Sequence, residues 1–456
     1  MTKHYIRPLL LLSIGAILSL HPLKSEQFCF RVYLNDKGNA AYSVDRPEDF
    51  LSNEAIERRN RKGIPIDESD MPIALEHLDA LASLGAKPVV ASKWLATVVV
   101  ECEDSTIANN LQSLPIVDSV RCVWKGNRYT PPATDRDTAT LIPEDKPQEN
   151  IYGYAETQIK MLNGIRLHKK GYRGQGVKVA VIDAGFTNAD RMAVFKHMNL
   201  AGTHNVVYPG ESVFCDDDHG TKVLSCLAAN APGIMVGTAP DASYLLIKSE
   251  DNRSEYPIEE DYWTAAVEFA DSAGVSVISS SLGYFVFDEK EFNYLPSMLD
   301  GQTAFVSRAA DKAAGKGILL LVSSGNEGGG EWEKLTFPAD AKRVLTVGSV
   351  TQGKDKSVFS SIGPAAGGRI KPDIMAMGTN CTVTDSSGSI RYANGTSFST
   401  PIAAGLAVCL WQALPELDNH AIADLIKRSS SQYNQPDGQL GYGIPNFYKA
   451  LKMQRP

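Results

Sequence analysis

Basic residues are in the minority in this chain: in 456 residues, 45 Lys and Arg are outnumbered by 53 Asp and Glu, for a net charge of -8. Binding a phosphate backbone requires a basic face, so a nucleic-acid partner is excluded. Long apolar runs are also scarce. The one at residues 9–20 follows Lys3 and Arg7 and is broken by His21, Pro22 and Lys24. It is short for a bilayer span and has the length of a signal-peptide core. Residues 1–25 therefore read as an export signal to the periplasm, cell surface or medium, with an uncleaved anchor as the alternative. No later stretch is long enough to span, so none is expected in the mature form.

Cysteine is sparse and odd in number. Of the seven, Cys29, Cys102 and Cys122 precede Cys215, Cys226, Cys381 and Cys409, so at least one lacks a partner within the chain and no connectivity is fixed. Cys226 and Cys409 lie among small and apolar residues, where a thiol acts as a small hydrophobe. The run Cys215-Asp216-Asp217-Asp218-His219 has no second ligand pair at metal spacing, so no metal site is assigned.

With 43% hydrophobic and 21% charged residues, the chain can build full cores, and its length predicts two domains. Over residues 26–124, strands are predicted at 30–33, 87–92, 96–101 and 117–123, and helices at 47–61, 71–84 and 105–114. This is a small α+β unit of split βαβ, or ferredoxin-like, type. Residues 125–150 turn to Pro, Thr, Asp, Asn and Lys without apolar periodicity and read as an exposed linker.

From 151 to 456 the texture is α/β. Apolar strands are predicted at 177–182, 244–248, 275–279, 318–322 and 344–350, separated by helices at 218–229, 259–273, 303–315 and 396–411. Continuous apolar strands between helices imply a mostly parallel sheet covered on both faces. Ligand sites in such sheets lie beyond the carboxyl ends of the strands. Asp183 and Asn326 both fall just past a predicted strand end.

Three motifs follow in order: Val179-Ala180-Val181-Ile182-Asp183, Asp218-His219-Gly220-Thr221 and Gly395-Thr396-Ser397-Phe398-Ser399-Thr400-Pro401. They supply a carboxylate, an imidazole and a hydroxyl. Ser397 opens a small-residue helix whose N–H groups favour developing negative charge, with Pro401 expected to mark its first turn. His219 can accept and return a proton near neutrality, and Asp183 can fix its tautomer. The order Asp, His, Ser differs from the orders His, Asp, Ser and Ser, Asp, His of trypsin-like enzymes and α/β-hydrolases.

In these motifs the chain resembles the subtilisin-like serine proteases, over residues 152–447. The resemblance implies a subtilisin-like three-layer fold with Asp183, His219 and Ser397 as catalytic triad. It implies an oxyanion hole from the Asn326 amide, within Ser323-Ser324-Gly325-Asn326-Glu327, and the Ser397 backbone N–H. Ser281, Leu282 and Gly283 would pair with an extended polypeptide substrate, Gly283 letting its backbone come close. Ser323, Ser324, Gly325 and Glu327 would line the pocket for the residue before the cut, Glu327 favouring a basic one. The N-terminal unit resembles a family propeptide, which would inhibit the enzyme intramolecularly until a cut in the linker. No cofactor is required, and no matching set of calcium ligands supports a structural calcium ion. Ala376-Met377-Gly378 stands where many relatives have Ala-Pro-Gly. The expected function is an exported serine endopeptidase made as a zymogen. The alternatives are a catalytically silent binding relative and an esterase with the same triad.

Overall fold

The computed structural model describes residues 26–38, 41–127 and 139–454. The expected signal peptide and positions 128–138 of the expected linker lie outside them.

In the N-terminal domain, strands β1 (Gln27–Leu34), β2 (Lys87–Ser92), β3 (Thr97–Cys102) and β4 (Val117–Gly126) form an antiparallel sheet in the order β2-β3-β1-β4. Placing β3 between β1 and β2, and β1 between β3 and β4, is the split βαβ arrangement. Period-2 alternation gives the sheet two faces. Phe30, Val32, Leu34, Val98 and Val100 pack with Leu81 and Leu111, from helices α2 (Leu75–Ala82) and α3 (Ile107–Gln112). Cys29, Val99 and Val123 face the other domain.

Two helices are shorter than the sequence predicts. The one expected at 47–61 is a 3-10 turn, Pro47–Asp49, followed by α1 (Asn53–Lys62), because the Ser52 side chain accepts from the Ala55 N–H and caps a new start. The one expected at 71–84 begins only at Leu75, since Pro72 holds Met71 extended, at φ -70° and ψ 139°.

The second domain is built on seven strands, β5 (Lys178–Asp183), β6 (Asn199–Asn205), β7 (Ser243–Lys248), β8 (Val277–Ser280), β9 (Leu319–Ser323), β10 (Leu345–Val350) and β11 (Ile374–Met377). Their order is β11-β10-β9-β8-β5-β7-β6, and every pair is parallel. Alternate residues enter opposite cores: Val179 and Val181 lie with α4 (His219–Ala228) and α7 (Thr396–Ala413), whereas Ala180 and Ile182 lie with α5 (Ile258–Ser272) and α6 (Phe305–Gly315). The result is helix, sheet and helix in three layers. The edge strands β6 and β11 were not predicted: β6 is largely polar and exposed, and β11, though apolar and buried, has only four residues and starts just after Pro372.

The N-terminal sheet docks on α5, whose outward face carries buried acids. Arg31 is wholly buried and forms a bidentate pair with Asp261 at 2.7 and 2.6 Å. Arg58 and Arg59 both bond Asp271, and Arg59 also holds Asp70 at 2.9 and 2.8 Å. Glu268 accepts from the Trp94 and Lys93 N–H groups at 3.1 and 2.9 Å. Arg31, Arg58 and Arg59 thus meet their counter-ions across the interface, and Glu268 is satisfied there by hydrogen bonds, as burial of an ion demands. Among the described residues no helix is long and apolar enough to cross a membrane.

Candidate active site

The carboxyl ends of β5, β8 and β9 form the rim where the chemistry-bearing residues gather. Asp183 is the last residue of β5 and is fully buried. His219 is the first residue of α4, and Gly220 brings that helix close: a Cβ there would lie 2.4 Å from the Gly185 carbonyl and 3.0 Å from the Asp183 Cβ. The imidazole Nδ1 meets Asp183 Oδ1 at 2.7 Å, and the same oxygen accepts from the Ala184 N–H at 2.8 Å. Facing a carboxylate, Nδ1 carries the proton and Nε2 is left as the base. Burial acts to lower the His219 pKa, but the charge and hydrogen bond of Asp183, joined by the charge of Asp217, prevail and raise it above the usual histidine value.

The acidic run before His219 is engaged in building the helix start. Asp217 Oδ1 accepts from the His219 N–H at 2.6 Å, and Asp218 pairs with Lys222 at 2.6 Å. Among the described residues no three His, Cys, Asp or Glu side chains are grouped to hold a metal ion.

Ser397 is the second residue of α7, and among the first N–H groups of a helix its own has no intrahelical acceptor. It lines the same cleft as His219, a cavity of about 370 Å³. Its Oγ is directed to the Ser281 carbonyl at 3.4 Å, with no hydrogen bond to His219 in this resting arrangement. Pro401 lies in the second turn of α7, beyond the first turn expected for it. The position is tolerated because the Ser397 carbonyl, deprived of its i+4 donor, accepts from Ser281 Oγ at 2.8 Å.

Asn326 follows β9 in a loop where Gly325 adopts φ +103° and a Cβ would lie 2.8 Å from Ser361 Oγ. Its Oδ1 accepts from the N–H and hydroxyl of Thr396 at 2.9 and 3.0 Å. The carbonyl side of the amide is thereby fixed, and its N–H₂ is available to the cleft that Asn326 lines.

Ser281, Leu282, Gly283, Ser323, Gly325 and Glu327 all line the cleft. Ser324 does not: it is fully buried, with its N–H bonded to the Val347 carbonyl at 3.0 Å. Strand alternation continued one residue past β9 turns its side chain inward. Gly283 is also required by the fold itself, since a Cβ would lie 2.1 Å from Thr336 Oγ1. The close approach it permits in the folded chain is to Thr336. Glu250, Glu255 and Phe285 line the cleft as well; the acid-rich stretch 250–261 was the only sequence signal for the two acids, and none marked Phe285.

Comparison with known proteins matches both domains. The model of the subtilase family matches residues 174–443, and that of a peptidase S8 propeptide domain of Bacteroidota matches 29–138. Subtilisin NAT of Bacillus subtilis subsp. natto is 30% identical over 298 residues, covering 64% of this chain and 70% of the relative. Subtilisin of Bacillus pumilus is 29% identical over 298 residues, covering 64% of this chain and 98% of the relative. M-protease of Shouchella clausii is 28% identical over 317 residues, 68% of this chain and 71% of the relative. With a parallel α/β domain and a propeptide domain docked upon it, the chain belongs to the subtilase family and is a serine endopeptidase in zymogen form.

Proposed function

We propose that Asp183, His219 and Ser397 are the catalytic triad of this endopeptidase. The observation that carries the reading is the 2.7 Å bond between His219 Nδ1 and the buried Asp183 carboxylate, at the edge of the cleft that Ser397 lines. Rotation about χ1 takes Ser397 Oγ from the Ser281 carbonyl toward Nε2; such bonds are often loose before substrate binds. His219 then removes the hydroxyl proton as Oγ attacks the scissile carbonyl. The tetrahedral oxyanion receives hydrogen bonds from the Asn326 N–H₂ and the Ser397 N–H. Collapse breaks the C–N bond, His219 gives its proton to the leaving amine, and water releases the acyl group by the reverse sequence.

Ser281, Leu282 and Gly283 bind the peptide backbone before the cut, and Ser323, Gly325 and Glu327 surround the side chain next to it. Residues 26–124 form the inhibitory propeptide, a cut within 125–150 releases it, and residues 151–456 make the mature enzyme. Residues 1–25 direct export. A serine-directed organophosphonate should label Ser397 in the wild type and nothing in Ser397→Ala. Casein digestion that depends on Ser397 separates the endopeptidase from an esterase or a silent binder.

A further inference from the structure

On the side lined by Glu250 and Glu255 the cleft adjoins a second cavity of about 260 Å³, whose lining includes Glu250, Glu255, Glu259 and Asp288. Glu250 and Glu255 border both spaces. Glu250 and Glu259 are buried, at 6% and 2% exposure, with Glu255 at the mouth. Glu250 Oε1 accepts from the Tyr284 and Ser249 hydroxyls at 2.7 and 2.9 Å. Glu259 Oε1 accepts from the Asp251 N–H at 3.0 Å, and Asp288 Oδ2 from the Glu255 N–H at 3.0 Å. Glu259 Oε2 is buried in the cavity wall without a hydrogen-bond partner.

The acids facing α5's other side, Asp261 and Asp271, each have a buried Arg. This group has none: among the described residues no Lys or Arg ion-pairs with Glu250, Glu255 or Glu259. Arg253, on the same wall, is paired with Asp251 and lies over the Tyr208 ring. Burial first, and then neighbouring carboxylates, push Glu250 up to about 8 and Glu255 up to about 7. Crowded carboxylates without a counter-ion are poised to gain from an arriving cation. The described acids are not grouped closely enough for a metal ion. A cation on a long, flexible stem fits the space better.

We propose that this cavity receives an Arg or Lys side chain of the substrate. It would come from one of the second to fourth residues before the cleaved bond. The placement follows from Tyr284, which joins Glu250 to the segment ending at Gly283, and it rests on the reading of that segment as the binder of residues before the cut. Glu255 and Glu250 then determine specificity through charge-assisted bonds.

Quenched fluorescent peptides differing only by Arg, Lys or Gln at the second, third or fourth position before the cut test this on the mature enzyme. At one position Arg and Lys should exceed Gln in kcat/KM by about tenfold, the scale of a charge-assisted pair. In Glu255→Gln that ratio should fall to within about twofold of one, and likewise in Glu250→Gln if the buried site tolerates it. Equal turnover of the Arg and Gln peptides by the wild type, or a preference unchanged in Glu255→Gln, overturns the inference alone. Failure to cleave any peptide, Gln-containing ones included, overturns the reading of the cleft and the inference with it.

Discussion

Ser281 and Ser397 hold each other by two hydrogen bonds, Ser281 Oγ to the Ser397 carbonyl at 2.8 Å and Ser397 Oγ to the Ser281 carbonyl at 3.4 Å. The first replaces a helical bond that Pro401 cannot make, so the strand end that would bind substrate and the helix that bears the hydroxyl are joined directly. Ser281→Ala leaves a buried carbonyl without a donor. Chemical denaturation should show a loss of about 1–3 kcal/mol, and an unchanged midpoint would remove this role.

His219 must be neutral to act as base, and its pKa is raised by Asp183. The acidic limb of the kcat/KM profile should therefore lie above the ordinary histidine value of about 6.5, activity rising with pH through it. Asp183→Asn removes the charge responsible and should move the limb downward. A limb that stays in place in that variant would contradict the pairing.

Asn326→Ala removes one proposed donor to the oxyanion while leaving the cleft walls in place. Loss of one such donor generally costs about 10²–10³ in kcat. Steady-state kinetics should show that fall with little change in KM, and a change in KM alone would exclude the oxyanion role.

Ser397→Ala should accumulate as an unprocessed chain if the cut within 125–150 is made by the enzyme itself. Intact-mass measurement checks it; normal trimming of the variant would assign the cut to another protease.

Arg31→Ala, made in the Ser397→Ala background so that the domains stay joined, leaves Asp261 buried with no bidentate partner. Breaking a buried pair in this way costs about 3–5 kcal/mol. Hydrogen exchange in β1 and α5 should rise sharply, whereas exchange in β10 should not.

Much of this was legible in the sequence for a physical reason. Strands buried on both faces are mostly apolar, so β5, β7, β8, β9 and β10 announced themselves, and Asp183 and Asn326 could be placed at or just past strand ends. The edge strand β6 is polar and exposed and lacks that constraint, whereas β11 is apolar and buried but only four residues long; both were missed. Ser324 was assigned to the pocket wall because adjacency in a motif does not reveal which way a side chain turns. Gly283 was read only against an incoming substrate, and its packing against Thr336, distant in sequence, left no mark there. Arg31 and Asp261, 230 positions apart, share no periodicity that could have paired them.

The ionic character of the seam between the domains bears on what would follow if the proposed cut let them part. Wetting Asp261, Glu268 and Asp271 on one side, and Arg31, Arg58 and Arg59 on the other, restores full hydration to groups that bind water strongly. A liberated enzyme keeps an acidic helix flank where a purely oily contact would have left an adhesive scar. The same flank repels other negatively charged surfaces, so the scaffold that guides assembly leaves behind a face suited to life as a separate molecule.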